Sequence, residues 1–379
     1  MTILYLFRSL AIWGGIERIL VEKMNYLSKV YGMNVYLLTS DQGQHSIPYY
    51  LEDCVNREDL GINFHHKYRY GMFKRLWVGY QKIVHYERLL RSRIQMIKPD
   101  IIVCTTSDPV KSIIKVKGSI PLVIESHSIF VRTINQGKVR FLRTINRFKF
   151  LKAISRAQTI VTLTEGDAAE WRKYHHNVVV IPNFIHKDSG EQASLESKHV
   201  IFVGRYDYQK RVQDAIQIWE EVCKRFPDWI LDIYGEGEMK DEIERKVAYM
   251  GNVIMHQPTD KIYDCYRSSS VLILTSLFEP FGLVMPEAMS CGLPVVAYDC
   301  PYGPAEIITD GQNGFLVKDR DAEAFVDKIC LLMSNQELRE RFGEAGRLSS
   351  MRFGADEIML KWKSLFFQLD AMYNYSRYL

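Results

Sequence analysis

Two glutamates eight positions apart enclose a turn in the run Glu279-Pro-Phe-Gly-Leu-Val-Met-Pro-Glu287. An apolar strand run at 271–275 ends just before it. A short helix is expected from about Pro286, with Gly292 as its C-terminal stop. The N–H groups around Gly282, Leu283 and Val284 then lie at a helix start, where unpaired donors and the helix dipole attract anions, phosphates above all. A carboxylate beside a phosphate is costly unless it accepts hydrogen bonds from hydroxyls, and vicinal sugar hydroxyls meet that need. A second cluster is Phe202-Val203-Gly204-Arg205 followed by Lys210. It puts two cations at the carboxyl end of a strand, the edge where open α/β sheets bind ligands; Arg forks onto phosphate oxygens and Lys adds a point charge.

Other residues are read against plainer roles. Gly14-Gly15 follows the first apolar run and precedes a helix; glycines there turn the chain tightly or admit a ligand to the backbone. Gly235-Glu-Gly237 repeats the theme without the dinucleotide fingerprint, since Lys240 stands where the third glycine would be. His127 follows a strand run at 122–125, at another carboxyl edge. Asp319-Arg-Asp321 matches an Asp-x-Asp metal pattern but precedes a helix, where acids cap. Thr164-Glu-Gly-Asp167 reads as a capping box with Asp in place of Glu. No metal ion or cofactor is expected.

The elements that must position these groups alternate. Strands are expected at 3–7, 34–39, 101–104, 122–125, 160–163 and 178–182, with helices at 16–29 and 75–97. The pattern restarts with strands at 199–203, 229–234, 253–256, 271–275 and 294–297 and helices at 212–225, 239–250, 286–291 and 322–332. Apolar runs without period-2 alternation indicate parallel strands covered on both faces. The polar stretch 187–198 is a linker candidate. Two successive arrays mean α/β architecture in two Rossmann-like domains.

With 379 residues, 47% hydrophobic and 25% charged, and a mean hydropathy of −0.15, the chain is globular rather than disordered or multi-spanning. Its net charge of +4 conceals a split: residues 1–182 carry 27 Lys+Arg and 14 Asp+Glu, residues 183–379 carry 22 and 31. The halves are therefore +13 and −9. Seven scattered cysteines fit reduced thiols in the cytosol. The apolar N-terminus lacks a basic leader pattern and reads as a strand.

Together, Glu279-x7-Glu287, Ala288-Met-Ser-Cys-Gly-Leu-Pro-Val-Val, Gly303-Pro-Ala-Glu306-Ile-Ile and Gly311-Gln-Asn-Gly314 resemble the retaining glycosyltransferases of family 4. Gly14-Gly15-Ile-Glu17-Arg, Pro182-Asn183 and Gly204-Arg205 with Lys210 extend the resemblance over nearly the whole chain. It implies a GT-B fold, two Rossmann-like domains facing across a cleft. The expected domains are 1–185 on the acceptor side, with a helix at about 356–379 crossing back to it, and 199–355 on the donor side. The resemblance also implies roles. Arg205 and Lys210 would neutralise the diphosphate of a nucleotide sugar, and Glu287 and Glu279 would bind ribose and sugar hydroxyls. Amides of Phe281, Gly282, Leu283 and Val284, with Gly204, would hold sugar and phosphate; Gly15 would approach the diphosphate, and His127 would lie near the transferring sugar. UDP is the expected carrier, with GDP the open alternative. Gln257-Pro258 departs from the family, which usually has a glycine there, so base contacts near it stay open.

Departure of a nucleoside diphosphate builds negative charge that two cations and oriented amides can stabilise without a metal. No carboxylate is evidently placed as a nucleophile, which favours front-face displacement with the leaving phosphate taking the acceptor's proton. A sugar-nucleotide epimerase of the same fold and a non-catalytic glycan- or lipid-binding protein remain alternatives; turnover with and without acceptor separates them. Residues 132–156 hold eight Lys/Arg and no acid. Arg140, Arg143, Arg147 and Lys149 on an amphipathic helix there are expected to meet an anionic membrane and a glycan or lipid-diphosphate-linked acceptor. No nucleic-acid motif accompanies the charge. The expected location is cytoplasmic, peripheral at the inner face of the cytoplasmic membrane.

Overall fold

The structure, a computed structural model, describes residues 1–135, 140–186 and 191–378, without the side chains of Arg140, Leu142 and 374–378. Arg140's expected membrane contact, Lys138 and the start of the linker candidate lie outside that description.

Strands form where the apolar runs occur, with one polar edge strand, β3, added to them: β1 (Thr2–Phe7), β2 (Asn34–Thr39), β3 (Asn56–Asp59), β4 (Ile101–Thr105), β5 (Leu122–Glu125), β6 (Thr159–Thr162) and β7 (Val178–Val180). They make one sheet in the order β3-β2-β1-β4-β5-β6-β7, and every pairing is parallel. The central strands β4, β5 and β6 are buried at every residue, because helices cover both faces of a parallel sheet. The edge strand β3 is Asn-Arg-Glu-Asp and partly exposed, a polar composition that discourages further pairing. A second parallel sheet holds β8 (His199–Val203), β9 (Ile230–Tyr234), β10 (Val253–His256), β11 (Val271–Leu274), β12 (Val295–Asp299) and β13 (Gly314–Lys318), ordered β10-β9-β8-β11-β12-β13. In each sheet the strand order reverses once, at β1/β4 and at β8/β11, and crevices at such reversals receive ligands.

The chain forms two compact units, Met1–Ile181 with Met359–Leu379, and Pro182–Ile358. The last helix, Ala355–Tyr378, buries Ile358, Met359, Trp362, Leu365, Phe366 and Leu369, a stripe at helical spacing. The basic stretch is not one helix. Its described part divides into Phe130–Ile134, capped at Asn135, and Arg140–Ile154. The helix expected over 239–250 is shorter, Lys240–Val247, and the one after Gly282 starts earlier, at Val284. All seven cysteines are free. Among the described residues no helix is long and apolar enough to cross a membrane.

Candidate active site

In the second unit two loops at the β8/β11 reversal are tied to each other. Leu277 N–H donates to Gln209 O at 2.8 Å, Gln209 Nε2 to Phe278 O at 3.1 Å, and Thr275 Oγ1 to Arg211 O at 2.9 Å. Across this seam Lys210 Nζ donates to Glu279 Oε1 at 2.5 Å, and Ser276 Oγ donates to the same oxygen at 2.6 Å. Glu279 is only 3% exposed, and both donors meet the same oxygen of its buried side chain. Its N–H donates to Pro301 O at 2.7 Å, and its carbonyl accepts from Tyr302 and Gly303 at 2.8 Å each. Asp207 Oδ1 accepts from the Lys210 N–H at 3.0 Å, and Arg205 Nη2 lies 3.0 Å from Asp207 Oδ2. The Arg205 side chain is 65% exposed and open to an incoming anion.

Past Glu279 the chain turns at Gly282, whose φ of +87° is left-handed and suits glycine. Gly282 O accepts from Met285 N–H at 3.0 Å, and the helix Val284–Ser290 begins. Among the described residues the amides of Gly282, Leu283 and Val284 make no hydrogen bond, and all three residues are partly exposed. Glu287 is buried one turn on, its Oε2 accepting from Tyr266 Oη at 3.3 Å. Lys210, Glu279, Ser276 and this amide row therefore form one cluster. Cationic and N–H donors thus lie close to a buried carboxylate in it.

The glycines Gly235 and Gly237 serve the fold. A Cβ at Gly235 would meet Gly204 O at 2.0 Å and one at Gly237 would meet Tyr206 O at 2.5 Å, so they let the loops after β8 and β9 touch. Asp321 caps the helix Ala322–Ser334 by accepting from Ala324 N–H at 3.1 Å, and Asp319 pairs with Arg211 at 2.7 Å. Among the described residues no group of three or more His, Cys, Asp or Glu is arranged to hold a metal. At the departure from the family pattern, His256 stacks on Tyr234 at 4.3 Å and its Nε2 lies 2.6 Å from Asp232 Oδ1.

In the first unit Gly14 caps the helix Gly15–Lys29, and Gly15 is exposed at its start. His127 lines a pocket of about 360 Å³ with Arg8, Ile16, Glu17, Thr105 and Ser107. Its Nε2 lies 2.9 Å from Glu125 Oε2 at the end of β5. The same oxygen accepts from Lys23 Nζ at 2.5 Å, and Lys23 is 1% exposed. Burial alone would push the Glu125 carboxyl up, but Lys23 and His127 together hold it below its ordinary value. Lys23 and Glu125 were not among the expected site residues. The signal for them was a lysine on the apolar stripe Ile19, Leu20, Met24, Leu27 and an acid closing an all-apolar strand.

Two doubly wound parallel sheets with such loops at their carboxyl edges define the GT-B class, and the likeness to solved structures runs along the whole chain. Staphylococcus aureus TarM in complex with fondaparinux, α-GlcNAc-glycerol and UDP overlays with a TM-score of 0.76 at 16% identity, covering 96% of this chain and 99% of that one. The chain belongs to glycosyltransferase family 4: residues 13–189 match the family described as Glycosyltransferase Family 4, and 185–349 that described as Glycosyl transferases group 1. An uncharacterized glycosyltransferase of Haemophilus influenzae is 31% identical over 233 residues, 60% of this chain and 65% of that protein. The amylovoran biosynthesis glycosyltransferase AmsD of Erwinia amylovora is 33% identical over 221 residues, 55% of this chain and 62% of that protein. The chain thus spans under two thirds of the length of these two curated relatives.

Proposed function

We propose that the chain is a retaining, metal-independent hexosyltransferase. It moves a hexose or hexosamine from a UDP-sugar to a glycan or lipid-diphosphate-linked glycan in cell-surface polysaccharide assembly. The observation that carries this reading is the Lys210–Glu279–Ser276 cluster beside the unbonded amides of Gly282, Leu283 and Val284. The diphosphate draws on Lys210, Arg205 and those amides, with Gly204 behind Lys210; Gly15 is assigned to donor binding as well. Glu279 accepts from sugar hydroxyls and Glu287 from the ribose, while Phe281 shapes the turn. As the anomeric bond breaks, the growing phosphate charge meets fixed donors and cations, which costs no reorganisation at that moment. Front-face displacement fits, the departing phosphate oxygen taking the acceptor's proton; His127 stands by the transferring sugar. UDP is named with TarM, which supports a UDP-sugar donor, and relatives named for amylovoran biosynthesis and as an exopolysaccharide phosphotransferase support a polysaccharide setting.

The first unit supplies a membrane-facing side. From Gly61 to Tyr86 the sequence has no acidic residue and holds Lys67, Arg69, Lys74, Arg75 and Lys82. The helix Met72–Ile97 leaves Met72, Phe73, Leu76, Trp77 and Tyr80 60% or more exposed. Arg143, Arg147 and Lys149 add charge on Arg140–Ile154, where Phe141 and Phe148 are exposed. Exposed aromatic residues among cations suit an anionic bilayer interface, and we place the protein at the inner face of the cytoplasmic membrane.

A thermal-shift panel of UDP-glucose, UDP-N-acetylglucosamine, UDP-galactose and GDP-mannose in EDTA tests the donor reading. At least one UDP-sugar is expected to raise Tm, since selective binding to the folded state stabilises it. No shift with any nucleotide sugar contradicts it, and a trapped covalent glycosyl-enzyme overturns front-face displacement.

A further inference from the structure

A lysine and a glutamate buried together in the first unit perform no step in the reading above. Lys23 extends from the Gly15–Lys29 helix into the apolar interior, and its Nζ sits between the Glu125 carboxylate, at 2.5 Å, and the Trp362 ring, whose centroid is 4.0 Å away. A buried ion pair is a poor stability device, because desolvation offsets most of its attraction, and apolar residues of like volume often do as well. A buried pair of this kind can instead orient a neighbouring group. The third member is His127: Glu125 Oε2 accepts from Lys23 Nζ and also lies 2.9 Å from His127 Nε2. An ionised carboxylate can only accept, so the ring nitrogen facing it must carry a proton. With one ring proton held there, Nδ1 is the nitrogen that presents a lone pair. Among the described residues His127 Nδ1 has no partner, although the side chain is only 6% exposed. The ring itself lines the 360 Å³ pocket at the carboxyl edge of the sheet.

We propose that Glu125 is the positioning residue for His127, fixing its Nε2–H tautomer and ring orientation, and that Lys23, braced by Trp362, keeps Glu125 ionised for that task. Nδ1 is thereby presented as an acceptor for a sugar hydroxyl or an acceptor-substrate hydroxyl. The inference rests on the assignment of His127 to the transferring sugar, but its structural half does not.

The test uses the full chain with ¹⁵N-labelled histidine and the variant Glu125→Gln, which keeps the shape and removes the charge. Long-range ¹H–¹⁵N spectra of the wild type should show His127 in the Nε2–H form, and Glu125→Gln should lose that single tautomer. With the UDP-hexose that the panel selects, kcat of Glu125→Gln should fall about 10- to 100-fold, the range seen when an orienting partner is lost, with KM for the donor nearly unchanged. Lys23→Met/Glu125→Gln should match Glu125→Gln alone, since Lys23 acts only through Glu125; it also serves if the single variant folds poorly. A folded Glu125→Gln with the wild-type tautomer and kcat overturns the proposal. His127→Ala separates the two readings: full activity in that variant removes the role of His127 in transfer, whereas an inactive His127→Ala beside a fully active Glu125→Gln removes only the positioning role.

Discussion

Lys23 occupies a place on its helix that Ile19, Leu20, Met24 and Leu27 fill with apolar atoms, and it pairs there with the Glu125 carboxylate. Removing Lys23 leaves the buried Glu125 charge with His127 as its remaining partner. Lys23→Met should therefore cost about 3–5 kcal/mol in urea unfolding. The double change Lys23→Met/Glu125→Gln should recover most of that loss, and equal costs for the two variants would show that the ion pair is not what ties these residues together. Asp108 supplies a pH-dependent counterpart. Burial pushes its carboxyl up to about 7, against hydrogen bonds from Thr105 N–H at 2.7 Å and Thr105 Oγ1 at 2.8 Å. An acid whose folded value is raised binds its proton more tightly when folded, so stability falls as pH rises from about 4 to about 7. Asp108→Asn should flatten that decline. Parallel stability–pH curves for wild type and variant between pH 4 and 8 would contradict it.

The elements were largely legible, because long apolar runs and amphipathic stripes are strong signals. β5, β8, β10 and the helix Val212–Arg225 fall where their sequence patterns put them. The edge strand β3 was not legible: Asn56–Asp59 carries no apolar signal and is a strand only because β2 offers an open edge. β13 begins at Gly314, and its partners are set by β12. The loop of Glu279 to Glu287 could be read as an anion site from its glycine and helix start, whereas the Ser276–Glu279–Lys210 bonds depend on a crossing of two loops that no local pattern shows. That crossing leans on Gly303. A Cβ there would sit 2.0 Å from Phe281 O, backbone rather than a movable side chain. Gly303→Ala should lower stability by about 1–3 kcal/mol and weaken UDP-sugar binding with it. Wild-type values for both would mean the loop yields more easily than its contacts imply.

At the scale of the whole molecule, the change from a basic to an acidic half near residue 183 falls beside the boundary between units at Ile181 and Pro182. The basic unit carries the exposed Phe73 and Trp77. Binding to phosphatidylglycerol vesicles should weaken as salt is raised above about 0.1 M, where the Debye length is near 10 Å. Phe73→Ser/Trp77→Ser should abolish it at any salt, and retention by that variant would leave charge alone as the cause. The acidic unit holds the local cationic cluster of Arg205 and Lys210, on which donor binding depends in the proposed function. The most direct measurement is calorimetric titration of UDP into the wild type, Lys210→Ala and Glu287→Ala, all in EDTA. The wild type should bind without metal. Each variant should bind about 10- to 100-fold more weakly while keeping its fold, the loss expected for a hydrogen bond to a charged group. Unchanged affinity in both variants would contradict the assignment of the donor site.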